Sequence, residues 1–187
     1  MHRIMYEGTT YQAYGELPVV GSKAPDVSLV NTELQDVSFA NFMGRRKVLN
    51  IFPSIDTPVC AMSVVVFNKL AEEHDDVAML MVSYDLPFAH RRFQQQHALE
   101  NVVGLSAIRH AGFGENYGVQ IMEGPLAGMF SRAVVVLDEN NTVVHREQIE
   151  DIQQEPDYVA AYQALGISVD PESLDDFREE VVVEGRL

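Results

Sequence analysis

The chain of 187 residues contains one cysteine, Cys60. A single thiol excludes an internal disulfide, a Cys-x-x-Cys redox pair and a multi-thiolate zinc site. Positive charge is scarce too: 13 Lys and Arg stand against 28 Asp and Glu, a formal net charge of −15. A nucleic-acid backbone would meet net repulsion, so no nucleic acid is expected as a partner. No apolar run approaches the roughly 20 residues that a membrane span requires. The opening MHRIMYEGTTYQAYG lacks the apolar centre of a secretory signal. These absences lead to the expectation of a soluble, cytoplasmic protein with no membrane partner.

Apolar material is plentiful. Hydrophobic residues make up 47% of the chain, enough for the core of one ordinary domain. Strand and helix signals alternate along it. YEGTTYQAY places a Gly-containing turn between two Tyr-bearing segments and predicts an N-terminal β-hairpin. PDVSLVN and LQDVSF alternate apolar and polar residues and read as short strands. KVLNIF, Lys47 to Phe52, reads as a buried strand running into PSIDTPVC. The following CAMSVVVFNKLAEEH carries Cys60, Val64, Phe67 and Ala71 at helical spacing. VAMLMVSYD (strand), PFAHRRFQQQHAL (helix, with Pro87 near its first turn) and NVVGLSA (strand) repeat the alternation. RAVVVLDENNTVVHREQIE predicts a hairpin around Glu139, Asn140 and Asn141, and EPDYVAAYQALG a closing helix ended by Gly166. The pattern predicts an α/β sheet of mixed direction covered on both faces. Residues 167–187 are acidic and read as a mobile or loosely docked appendage to a domain of residues 1–166.

Cys60 lies in FPSIDTPVCAM. Thr57 suits an N-cap and Pro58 the first helical position, which puts Cys60 at the third. Glu or Gln commonly fills that position in a capping box, so a thiol occupies a place that favours an anion. Unpaired amide N–H groups and the positive end of the helix dipole both stabilise a thiolate there. Lowering a thiol's ionisation by about 2.5 pH units takes about 3.4 kcal/mol. A helix terminus supplies about 0.3–1 kcal/mol, and up to about 2 in favourable partly buried geometry. A reactive Cys60 therefore needs a cation as well, and spacing does not choose among the thirteen basic residues. Packing of Cys60 as a small hydrophobe stays open on these local signals.

KVLNIFPSIDTPVCAMSV carries the Pro-x-x-x-Thr-x-x-Cys pattern of the peroxiredoxins as Pro53, Thr57 and Cys60. With SYDLPFAHRRF, YGV, GPLAGM, SRAVVVLDENNTVVH and EPDYVAA it resembles the bacterial thiol peroxidase branch of that family, over about residues 1–166. The resemblance implies a thioredoxin-like mixed sheet flanked by helices, with an N-terminal β-hairpin. It implies attack of the Cys60 thiolate on a hydroperoxide, giving cysteine sulfenic acid. Thr57 would hydrogen-bond to thiolate and peroxide, Pro53 would shield the pocket, and Arg132 would be the active-site cation. Arg109 is a supporting candidate, with a surface ion pair as the alternative. No cofactor is implied.

Relatives of this branch usually carry a resolving cysteine where this chain has Gln94, so an external thiol must reduce the sulfenic acid. Thioredoxin, glutaredoxin or a small thiol could serve. The competing function is a non-catalytic thioredoxin-fold peroxide sensor or binding protein. A homodimer is expected from the resemblance, and Val65 and Val66 offer apolar surface for a partner subunit or for the C-terminal appendage. The six histidines show no close pair at metal spacing, and GFGENYG lacks the context of a phosphate loop. The eight methionines are read as core filler or as the lining of a pocket for an apolar peroxide.

Overall fold

The computed structural model describes residues 1–183. Its N-terminus forms an antiparallel hairpin of β1 (His2–Tyr6) and β2 (Thr9–Ala13). The turn uses Glu7 and Gly8 at φ 49° and 74°, the left-handed pair that matches the twist of a tight hairpin. Next come two short strands, β3 (Leu29–Val30) and β4 (Asp36–Val37), and a 3-10 turn at Phe39–Phe42. The alternating units follow as β5 (Arg46–Ile51), α1 (Pro58–Ala71), β6 (Val77–Ser83), α2 (Pro87–Gln96), β7 (Val102–Ser106) and the short α3 (Gly112–Asn116). A hairpin of β8 (Ala133–Leu137) and β9 (Val143–Gln148) precedes α4 (Tyr158–Gln163) and α5 (Pro171–Val183).

Seven strands form one sheet in the order β4-β3-β7-β6-β5-β8-β9. The β5–β6 and β6–β7 pairs are parallel and the others antiparallel, so the sheet is mixed. Side chains alternate between its faces. Val48, Met79, Met81, Val134 and Val136 pack towards α1, α4 and α5. Leu49, Ile51, Leu80, Val82 and Val135 pack on the other side with Phe39, Phe113, Tyr117 and Phe130. Covering on both faces explains why β6 and β8 are almost wholly apolar and why β5 is buried from Lys47 to Ile51.

Helix α1 is buried continuously from Cys60 to Asn68, so it is enclosed on more than one face. Its inner side meets the sheet, and Leu174, Phe177 and Val181 of α5 belong to the same core cluster as Val65 and Val66. Val65 and Val66 are buried within the single chain, so they leave little apolar surface for a partner subunit. Burying each valine contributes about 1.5–3 kcal/mol. Within residues 167–187, read from sequence as a mobile or loosely docked segment, Pro171–Val183 forms a helix with Leu174 and Val181 buried. Residues 184–187 lie outside the described part.

Candidate active site

The parallel strand β5 ends at Ile51 and hands the chain to a loop, Phe52 to Thr57, that turns into α1. Thr57 occupies the N-cap with extended backbone (φ −103°, ψ 142°) and Pro58 the first helical position, which places Cys60 third in the helix. The Thr57 side chain does not cap. Its hydroxyl donates to Ser54 O at 3.1 Å, and the thiolate contact expected for it is replaced by this bond within the turn. Pro53 is buried.

Cys60 is a free thiol with no exposed surface. Arg132 reaches it through sheet register. Ile51 of β5 pairs with Ala133 of β8, so the residue just before β8 sits beside the loop that leaves β5. Arg132 Nη2 donates to Cys60 Sγ at 3.2 Å, and Nε donates to Ile152 O at 3.0 Å. A guanidinium has no acceptor atom, so the sulfur accepts, and the anionic sulfur accepts most strongly. Arg132 is 1% exposed, a depth at which a charged group requires a partner. Its third nitrogen, Nη1, is buried with no hydrogen-bond partner among the described residues.

Arg132 also lines a pocket of about 540 Å³ with Pro53, Thr57, Val59, Leu126 and Ile152. The pocket joins the loop before α1, the segment before β8 and the segment after β9. Cys60 is not among the lining residues, and Arg132 joins the pocket to the sulfur; an apolar pocket that ends at a guanidinium suits a small oxygen-bearing ligand with an apolar substituent.

Further contacts hold the loop. Asp85, between β6 and α2, accepts from Ser54 Oγ through Oδ1 at 2.8 Å, and through Oδ2 from the Ile55 amide at 2.7 Å and Ser83 Oγ at 2.7 Å. Arg92 of α2 forms an ion pair with Asp56. Below the thiol, buried Asn50 donates to Ser63 Oγ at 2.9 Å and Ser63 Oγ donates to Cys60 O at 2.8 Å. His90 is 2% exposed and contacts Ser83 Oγ at 3.0 Å. Burial lowers its pKa to about 4 against the opposing pull of Asp85 and Asp56, so its ring is neutral at pH 7.

Sequence reasoning missed Asp85, Ser54 and the Ile152 carbonyl. Asp85 stands in SYDLPF just ahead of a Pro-led helix, where a carboxylate reads as a local cap rather than a clamp on a distant loop. The structure also separates one candidate from the rest. Arg109 contacts Leu34 O at 3.3 Å and Asp36 at 3.4 Å with half its side chain exposed. Asp36 lies on β4, the edge strand four places from β5, so Arg109 is in a surface ion pair and does not support Cys60. Gln94 donates to Val102 O at 2.9 Å, tying α2 to β7.

The redoxin family profile matches residues 19–162 of the chain. The chain belongs to the redoxin family. Within this family it falls in the thiol peroxidase branch of the peroxiredoxins, without the usual resolving cysteine. The thiol peroxidase of Corynebacterium glutamicum is 45% identical over 165 residues, covering 88% of this chain and 99% of that protein. The thiol peroxidase of Mycobacterium bovis is 46% identical over 166 residues, covering 89% and 99%. A peroxiredoxin-like protein from Aquifex aeolicus superposes with a TM-score of 0.81 at 31% identity, covering 88% of this redoxin and 96% of that chain. The thiol peroxidase from Chromobacterium violaceum has a TM-score of 0.82 at 23% identity, covering 88% and 95%, which speaks for the shared thioredoxin-like fold.

Proposed function

We propose that this redoxin is a one-cysteine thiol peroxidase that reduces hydrogen peroxide and organic hydroperoxides at Cys60. The observation that carries the reading is the Arg132–Cys60 contact at 3.2 Å, made by an arginine that also lines an apolar pocket. The 45–46% identity to thiol peroxidases supports it independently.

In the proposed cycle the hydroperoxide enters with its O–O bond directed at Sγ. Arg132 Nη1 donates to a peroxide oxygen. The Thr57 proton is committed to Ser54 O, so its hydroxyl oxygen is free to accept from the peroxide O–H. The Cys60 thiolate attacks the terminal oxygen, the O–O bond breaks, and water or an alcohol leaves after taking up a proton. Arg132 stabilises charge on sulfur before attack and on the leaving oxygen after it. Pro53 keeps bulk water from the sulfur. The Cys60 sulfenic acid then reacts with an external thiol, supplied by thioredoxin, glutaredoxin or a small molecule, to give a mixed disulfide and water. A second thiol releases Cys60 and leaves an external disulfide.

The reading includes a cytoplasmic location, because reducing compartments supply thiols and keep a lone cysteine reduced. Among the described residues no helix is long and apolar enough to cross a membrane. It also includes a homodimer, for which Leu86 and Phe88, both more than half exposed at the head of α2, offer apolar surface in place of the buried valines. Division into a domain of residues 1–166 and an added C-terminal segment belongs to the same proposal, with support from a family match that ends at residue 162.

The test is turnover. With a thiol donor in excess the protein is expected to consume many equivalents of peroxide, and Cys60→Ser none. A chain that oxidises once and stalls with every class of thiol would instead be a sensor.

A further inference from the structure

Arg132 is held on the side away from the thiol by residues that lead to α5. Its Nε donates to Ile152 O, and the segment after Ile152 enters α4 at Tyr158. Tyr158 is 6% exposed, and its ring meets Phe67 of α1 edge-on at 5.1 Å and 73°. Phe67 lies two turns beyond Cys60 on the same helix. The Tyr158 hydroxyl donates to Glu155 Oε2 at 2.6 Å. Glu155 Oε1 accepts from Arg178 of α5, which also donates to Asp175 at 3.0 Å. Burial, followed by Glu155, pushes the Tyr158 phenol's pKa well above its ordinary value, while the positive charges of Arg178 and Arg132 both oppose the shift. Arg178 is thus tied through Glu155 and Tyr158 to the segment whose Ile152 carbonyl holds Arg132. The helix that carries Arg178 lies beyond the residues matched by the family.

We propose that Arg178 is a positioning residue for the Cys60–Arg132 pair, neutralising Glu155 and fixing Tyr158 so that the Arg132 guanidinium stays directed at the thiol. The proposal rests on the reading of Cys60 as the nucleophile. Without Arg178 the Glu155 carboxylate keeps only the Tyr158 phenol, and the segment from Ile152 to Tyr158 loses its tie to α5. A displaced Ile152 carbonyl carries the Arg132 guanidinium with it, and each step away from the sulfur takes positive charge from it. Arg178 thus acts through Glu155 and Tyr158 without touching substrate, and it makes the added C-terminal helix part of the tuning of the thiol.

The experiment uses the full chain and follows alkylation of Cys60 by iodoacetamide from pH 5 to 9, which reports the thiolate without any peroxide. Arg178→Ala is expected to lower the rate at pH 6 at least fivefold and to raise the pH of half-maximal reactivity. Arg178→Lys, which keeps the charge, should stay within twofold of the parent. Tyr158→Phe, which keeps the ring against Phe67 and loses the bond to Glu155, should shift in the same direction as Arg178→Ala, and it serves as the test if Arg178→Ala does not fold. A lower melting temperature with an unmoved pH profile in both Arg178→Ala and Tyr158→Phe would overturn the proposal and leave α5 a structural brace. A parent protein that alkylates like a free thiol throughout would overturn the nucleophile reading as well, so the two failures are told apart by the parent's own curve.

Discussion

Arg132 donates to the sulfur of Cys60 across 3.2 Å of fully buried space, although 72 residues separate the two in the chain. The contact brings a guanidinium, placed by the pairing of β5 with β8, against a thiol at the start of α1. Sheet register thus supplies the cation that a helix terminus cannot replace.

Arg132→Ala should lower the rate of Cys60 oxidation by hydrogen peroxide about 10–100-fold, because a charge-assisted hydrogen bond is worth about 1.5–3 kcal/mol. Arg132→Lys should recover little of it, since an ammonium lacks the planar fork that serves Ile152 O and the sulfur together. Stopped-flow kinetics at limiting peroxide measures both variants.

Asp85→Asn should destabilise the protein and loosen the loop before Cys60. The substitution replaces a carboxylate oxygen with an NH₂ group among three donors: the Ser54 hydroxyl, the Ile55 amide and the Ser83 hydroxyl. The expected cost is about 1–3 kcal/mol. At about 2–4 °C per kcal/mol for a domain of this size, calorimetry should record a fall in melting temperature of several degrees.

His90 gives a pH dependence with a defined sign. Its pKa is lowered in the fold from 6.5 to about 4, so between those values the unfolded chain binds more protons than the native one. Stability from this group is complete above pH 6.5 and is lost as pH falls through 6.5 towards 4, by about 3 kcal/mol as an upper estimate. Urea unfolding at pH 7, 6, 5 and 4 should show that decline. In His90→Gln the part of the slope due to this residue should vanish.

The lone thiol should also leave a chemical record. With one equivalent of peroxide and a small thiol present, intact-mass spectrometry should find a mixed disulfide on Cys60. With excess peroxide and no thiol it should find sulfinic acid, because no second cysteine is present to intercept the sulfenic acid. Sulfinic acid alone under the first condition would exclude small thiols as the reductant.

Much of the fold was legible in the sequence because its signals are local. Thr57 and Pro58 mark the start of α1, Gly8 sits in the first hairpin turn, and the apolar runs of β6 and β8 mark strands buried on both faces. Helix α5 escaped notice because its acidic residues mask the apolar spacing of Leu174, Phe177 and Val181. The site was legible in part: Cys60 and its place in the helix follow from sequence. The choice of Arg132 over Arg109 depends on which strand pairs with β5. The Thr57 hydroxyl turned to Ser54 O because the loop brings that carbonyl within reach, a matter of backbone path that residue types do not encode. Asp85 holds a loop some thirty residues before it in the chain, and no spacing rule connects the two.

The most direct test is the second-order rate of Cys60 thiol loss at pH 7 with hydrogen peroxide and with cumene hydroperoxide, followed rapidly at limiting oxidant. A rate orders of magnitude above that of free cysteine is the predicted result. A rate equal to that of free cysteine would mean that the turn from Thr57 to Cys60 and its buried arginine do not activate the thiol, and would contradict the peroxidase reading.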